Sequence, residues 1–194
     1  VGQLYNDASS LYKNVVLGTA DTIINDLEQG INALKSSWEG KDAGVQIQNV
    51  IEVHNGMVAI RNALAELSKD SSLVAVKYRD IQNVNRANLE TLNPITIDYK
   101  NIIENYSDAR DTIDIKPEAI NGKNRIDAAN NAITGFITDF RNYYDMIMSN
   151  WQVGTGREKA ESAFSDFMSK SNKYADTLLD VSQSITKALE NYQN

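Results

Sequence analysis

The apolar side chains of this sequence recur at intervals of three or four residues along four separate stretches, and this spacing limits what the chain can fold into. It places the side chains on one face of an α-helix, whereas a half-buried strand alternates every second residue. The first stretch is Val16, Ala20, Ile23, Leu27, Ile31, Leu34 and Trp38. Such spacing is typical of long helices that pack nearly parallel or antiparallel to one another.

Three further stretches repeat the pattern. The second is Val50, Val53, Met57, Ile60, Leu64 and Leu67, extending through Val74, Tyr78 and Ile81 towards Leu92. The third is Ile126, Ala129, Ile133, Phe136, Phe140, Tyr144, Ile147 and Trp151. The fourth is Ala160, Phe164, Phe167, Ser171, Tyr174, Leu178, Val181, Ile185, Leu189 and Tyr192. We therefore predict an all-α fold, an elongated four-helix bundle of two antiparallel helix-turn-helix hairpins.

A tryptophan–glycine turn separates the helices of each predicted hairpin. The first is Trp38-Glu39-Gly40, and the second is Trp151-Gln152-Val153-Gly154. These are the two tryptophans of the chain. Glycine tolerates a positive φ and lets a helix end and the chain reverse. We predict the turns at about 39–43 and 152–156, with Asp42 as the cap of the second helix.

The chain divides into a first hairpin over 1–93, a connection over 94–120 and a second hairpin over 121–194. Pro94 ends the second helix, because the residue before proline is pushed out of the helical region. Ile102, Ile103 and Tyr106 indicate a short helix lying on the bundle, and Pro117 with Glu118 suits the first turn of the next helix. Asp108, Asp111 and Asp114 lack the glycine and closing glutamate of a calcium loop and are interpreted as solvated loop charge.

Gly18, Gly30 and Gly135 lie inside predicted helices, where glycine lowers helix stability. Close approach of a neighbouring helix would explain them, and so would a local kink. The sequence leaves both explanations open.

Charge and composition exclude several classes of function. The 194 residues carry a net charge of −7, which argues against binding to nucleic acid or to an anionic membrane surface. No cysteine is present, so disulfides and thiolate chemistry are excluded, and a single histidine excludes a multi-histidine metal site. His54 is interpreted as a packed residue of the second helix. We predict a non-enzymatic protein without cofactor or metal.

The two turns resemble those of the WXG family, the small helical hairpins exported by type VII secretion systems and typified by the early secreted antigenic target. Trp38-Glu39-Gly40 fits the Trp-x-Gly motif, whereas Trp151 and Gly154 are separated by one inserted residue. The resemblance covers both hairpins but not the connection. Because family members pair as antiparallel dimers, it implies two tandem copies fused in one chain.

The resemblance also implies function, partners and location. The chain would be a secreted substrate or adaptor of a type VII (ESX-like) system, without a cleavable signal peptide and located outside the cell or at its surface. Its partner would be the secretion-system ATPase or a co-secreted helical protein. No tyrosine is followed four residues later by Asp or Glu, the export signal of mycobacterial systems, so the resemblance implies a Gram-positive system outside the mycobacteria.

Three other readings stay open. The layout also resembles the LXG domains that head type VII toxins, in which a similar turn precedes further helices. A helical component of a pore-forming toxin would expose an apolar hairpin and bind liposomes. A plain cytoplasmic helical bundle would not be found in culture medium.

Two structural expectations follow. Each tryptophan ends a core stripe at a hairpin tip, so we expect partly exposed indoles. In the family, the Trp-x-Gly turn and the end of a partner helix form a composite export signal. Here Trp38 with the end of the fourth helix, or Trp151 with the end of the second, would form that signal. Because both hairpins lie in one chain, we expect a monomer in solution.

Overall fold

Residues 2–37 form one continuous helical body, here called the N-terminal rod. The computed structural model describes residues 2–83, 93–150 and 155–193. The rod consists of α1 (Gly2–Ser10), a π-helical segment (Leu11–Ala20) and α2 (Asp21–Ser37), and its junction residues keep helical φ and ψ. The chain continues through β1 (Trp38–Glu39), α3 (Lys41–Asn83), β2 (Asp114–Ile115), α4 (Ala119–Asn150) and α5 (Thr155–Gln193). The predicted all-α helical bundle is confirmed.

The rod, α3, α4 and α5 pack side by side, each antiparallel to its two neighbours. Two contacts for each pair of neighbours fix the directions: Asp21–Arg61 and Glu28–His54 between rod and α3, Asp26–Arg125 and Gly30–Gly122 between rod and α4, Gly56–Tyr174 and Asp70–Lys159 between α3 and α5, and Asp127–Ser182 and Phe140–Phe164 between α4 and α5. The rod and α5 therefore run in one direction, and α3 and α4 run in the other. It follows that the connection from α3 to α4 must return along the whole bundle.

The four predicted stripes form the core. All seven residues of the first stripe are buried, from Val16 to Trp38, and so are the six from Val50 to Leu67. In the second hairpin, the rings of Phe136, Phe140, Tyr144, Phe164 and Phe167 contact one another with centroids 4.4–5.8 Å apart. The side chains of Ile81 and Tyr192, together with Leu92 and Trp151, lie outside the described residues. Tyr78 is exposed, so the second stripe leaves the core before that residue.

Residues 93–113 form an extended segment, here called the strap, that runs antiparallel along α3. The prediction of a short helix around Ile102, Ile103 and Tyr106 is wrong, because the strap contains no helical turn. The strap is rich in isoleucine, whose branched side chain favours extended backbone. Its main-chain groups bond to side chains of α3 instead of to one another, so that it needs no helix to satisfy them.

The contact between α2 and α4 depends on two glycines. Gly30 of α2 and Gly122 of α4 face each other so closely that a Cβ on Gly122 would lie 2.8 Å from the side chain of Leu34 and 3.1 Å from the carbonyl oxygen of Gly30. Close helix approach therefore explains Gly30. A Cβ on Gly135 would meet nothing within 4 Å, so approach does not explain that residue. Gly18 lies within the π-helical segment.

Candidate functional site: the first tryptophan–glycine turn

The Trp38-Glu39-Gly40 turn forms at one end of the bundle, between the rod and α3. Trp38 leaves the helix with an extended backbone, φ −138° and ψ 124°. Gly40 then adopts φ +118°, a region that side chains disfavour, so glycine is required there. The helix α3 begins at Lys41, and Asp42 lies within its first turn. The expectation that Asp42 caps the helix is therefore wrong, because the cap position falls at the glycine.

The indole of Trp38 is buried, with only 3% of the residue exposed. The expectation of a partly exposed ring is wrong for this tryptophan. The reason is the chain beyond the strap, which returns over the turn. Trp38 pairs with Ile115 in the two-stranded antiparallel sheet of β1 and β2, and Lys116 N–H donates a 2.8 Å hydrogen bond to the Ser37 carbonyl. The second predicted turn, with Trp151 and Gly154, lies outside the described residues.

Asp108 of the strap holds the turn in place. Its carboxylate accepts hydrogen bonds from the backbone N–H of Gly40 at 3.0 Å and of Arg110 at 3.0 Å. The Arg110 guanidinium donates to both carboxylate oxygens at 2.6–3.1 Å and also pairs with Glu39 at 3.2 Å. These bonds, from the Arg110 side chain first and then from the two backbone amides, hold the pKa of the Asp108 carboxyl well below its ordinary value.

Among the three aspartates interpreted as solvated loop charge, Asp108 is the exception. It is buried, whereas Asp111 and Asp114 are exposed. Gly44 is the one sequence feature that could have indicated the contact made by Asp108. It does not belong to the turn but lies inside α3. A Cβ there would come within 2.5 Å of the Asp108 backbone nitrogen, so the strap can approach only a glycine. The sequence does not say which segment approaches, because the two residues are distant in the chain.

A cavity of about 210 Å³ opens at this end of the bundle. The turn residues from Trp38 to Ala43 line one side, and Arg110, Asp111, Ile113 and Ala188 line the other. Ala188 belongs to the last turns of α5. The first turn therefore lies beside the last turns of α5. Small-molecule pockets are usually larger than this, from roughly 300 Å³ upward.

The rim of this surface is charged and exposed. Lys41 pairs with Asp111 at 3.3 Å, and their side chains are 72% and 95% exposed. Asp42 is exposed beside them. The accessible features are thus the charges around the turn, while the tryptophan supports them from beneath.

The other side chains that the sequence analysis considered for chemical roles lie elsewhere in the molecule. His54 is buried in α3, with Nε2 3.0 Å from Glu28 Oε1 and Nδ1 2.9 Å from Asn55 Oδ1. Within the described ranges, no cluster of three or more histidine or acidic side chains could hold a metal ion. Nor does any helix in those ranges have the length and apolar character needed to span a membrane.

Comparisons of the chain with protein-family models, curated proteins and solved structures give no match.

Proposed function

We propose that this protein is a substrate or adaptor of a type VII secretion system, and that the end of the bundle bearing Trp38-Glu39-Gly40 is its docking surface. The observation that carries the proposal is the meeting of this turn with the end of α5. In the WXG family, which the sequence resembles, a Trp-x-Gly turn and a helix end together form the export signal. In this chain, the Trp38-Glu39-Gly40 turn and Ala188 of α5 line one cavity, which supports the proposal.

The buried indole changes how this surface would be recognised. A ring that is 3% exposed cannot act as an anchor for a partner, since an anchor must enter the partner's pocket. Trp38 instead fixes the backbone of the turn from below. The partner, a secretion ATPase or a co-secreted helical protein, would contact Glu39, Lys41, Asp42 and Asp111 and the end of α5.

A charge exchange tests the docking surface without disturbing the core. The double variant Lys41→Glu with Asp111→Lys preserves the net charge and the opportunity for an ion pair. Both side chains are largely exposed, so stability should change by less than about 1 kcal/mol. We expect a native melting temperature and reduced export from a host that carries the secretion system.

The matched control exchanges a second exposed pair on α5, Asp166→Lys with Lys170→Glu, whose side chains are 62% and 50% exposed. We expect this variant to be exported normally. Normal export of both variants would contradict docking through the turn, and reduced export of both would show a general effect of surface charge.

A further inference from the structure

Three side-chain amides on one face of α3 bind the backbone of the strap. Asn62 accepts from Lys100 N–H at 3.0 Å and donates to the Lys100 carbonyl at 3.0 Å. Asn55 makes the same pair of bonds with Ile103, both at 2.9 Å. Gln48 accepts from Tyr106 N–H at 2.7 Å. We call Gln48, Asn55 and Asn62 the amide ladder.

The spacing of the amide ladder matches the spacing of every third residue in an extended chain. Its members are seven residues apart, which corresponds to about 10.5 Å along a helix axis. Their partners in the strap are three residues apart, which corresponds to about 10 Å of extended chain. Because the two repeats agree, every third residue of any extended segment laid antiparallel on this face would meet an amide. The bonds of Asn55 and Asn62 to the strap go to main-chain groups, so they do not specify a side chain. Gln48 also donates to the side-chain oxygen of Asn105 at 3.2 Å.

Two buried side chains of α3 near the strap, Arg61 and His54, pair with acidic residues of the rod. Arg61 is buried and donates to Asp21 at 2.8 Å, while it also donates to the Asp98 carbonyl of the strap. His54 of the same helix lies 3.0 Å from Glu28 Oε1. Departure of the strap would leave the Arg61–Asp21 and His54–Glu28 contacts in place. It would break the bond from Arg61 to the Asp98 carbonyl and uncover the apolar surface beneath Ile97, Ile103 and Tyr106, here called the groove. Because most side chains of the strap are exposed, we expect the strap to open at a lower free energy than the helices beneath it.

The strap contributes little burial of its own. Tyr99 and Ile102 point outward and are 52% and 68% exposed. Ile97, Ile103 and Tyr106 are partly buried against the core, and the Lys35 ammonium lies 4.9 Å from the centre of the Tyr106 ring. The groove therefore accepts apolar side chains at intervals of three residues or a multiple of three.

We propose that the amide ladder of α3 is a binding site for an extended peptide, which the strap occupies within the chain, and that an extended segment of a partner protein takes the strap's place. The paired donor and acceptor of each asparagine suit the main chain of an extended segment. A helix offers no such groups along its side, because its own backbone bonds use them. The ligand class is thus an extended segment with isoleucine- or tyrosine-like residues at the positions of Ile97, Ile103 and Tyr106.

The proposal does not depend on a role in secretion. Export can fail while peptide binding persists, and the reverse can also occur, so the two tests are distinguishable.

The first experiment weakens the strap and leaves the ladder intact. Lys100→Pro with Ile103→Pro removes the two N–H groups that Asn62 and Asn55 accept. The probe is a fluorescein-labelled synthetic peptide with the sequence of residues 94–109. We expect the double variant to bind it at least about tenfold more tightly than the unaltered chain, since the tethered strap competes at high effective concentration.

Two further variants identify the binding face. Adding Asn55→Ala to the strap-weakened chain should remove most of the binding, whereas adding Asn172→Ala, an exposed position of α5, should not. Absence of binding by the strap-weakened chain with native helical content, or binding that is unaffected by Asn55→Ala, would overturn the proposal. A dimer of that chain in place of peptide binding would also overturn it, because the ligand would then be the strap of a second copy.

A measurement on the unaltered chain covers the case in which the proline variant fails to fold. Native-state hydrogen exchange should show the amides of Lys100, Ile103 and Tyr106 opening locally, well before the amide of Ile51 in α3. Exchange of the strap amides only through global unfolding would mean that the groove never becomes accessible, and would overturn the proposal.

Discussion

At the scale of single residues, the first turn depends on two groups that lie far apart in the sequence. Asp108 ties the strap to the backbone N–H of Gly40, and Gly44 leaves the room for its approach. Neither role is visible in a hydrophobic pattern. Both are consequences of a non-local contact, in which a carboxylate replaces solvent as the acceptor for a turn amide.

The first prediction concerns acid. Because the folded-state pKa of Asp108 lies below its ordinary value of 3.8, its stabilising effect is complete above that value and is lost as the pH falls towards the folded-state pKa. We expect the melting temperature of the native chain to fall in acid more steeply than that of Asp108→Asn. The matched control is Asp114→Asn, at an exposed position, which should follow the native chain. Parallel acid curves for native chain and Asp108→Asn would contradict the role of this carboxylate.

The second prediction compares two helical glycines. Gly44→Ala places a methyl group against the Asp108 backbone and should lower the free energy of unfolding by about 1–3 kcal/mol, the usual effect of overpacking. Gly135→Ala meets open space and should raise it by about 0.5–1 kcal/mol, since alanine is the better helix former. Urea denaturation measures both. Stabilisation by Gly44→Ala would show that the strap does not approach α3 so closely.

At the scale of elements, the helices were predictable and the strap was not. The intervals from Val16 to Trp38 predict a buried helical face because helix periodicity is a local property of the sequence. Ile102, Ile103 and Tyr106 have a helix-like spacing by chance, yet they lie in an extended segment. Amides on α3 satisfy its backbone, and no local pattern reports such partners. The path of the strap also explains why a partly exposed indole was wrongly predicted for Trp38. The segment that covers the indole, β2, follows the strap in the sequence.

The third prediction tests the packing of α4 against α5. Phe140 is fully buried and its ring contacts those of Phe136, Phe164 and Phe167. Phe140→Ala should lower the free energy of unfolding by about 3–5 kcal/mol through lost burial and a residual cavity. Leu179→Ala, at a residue that is 49% exposed, is the control and should cost far less. Equal effects in urea denaturation would contradict the burial of this ring.

At the scale of the whole molecule, the two hairpins cover each other's apolar faces. The stripes of the rod, α3, α4 and α5 meet in one core cluster. Each hairpin therefore packs its apolar stripes against the other hairpin of the same chain. The parallel course of α3 and α4 also requires a connection long enough to return along the bundle, and the strap lies along that path.

The fourth prediction is the state of association. Because a covalent connection makes the pairing of the hairpins intramolecular, we expect a monomer. Light scattering coupled to size exclusion should give a mass near 21.6 kDa. A stable dimer at low protein concentration would indicate that each chain leaves an apolar face for its partner.

Export dependent on the secretion ATPase tests the proposed function most directly. The native chain, expressed in a Gram-positive host with a type VII system, should accumulate in the culture medium and should remain in the cells of a strain that lacks the membrane ATPase. A cytoplasmic marker protein monitors lysis in both strains. Retention in the cells of both strains, or equal release from both, would contradict the assignment to this secretion route.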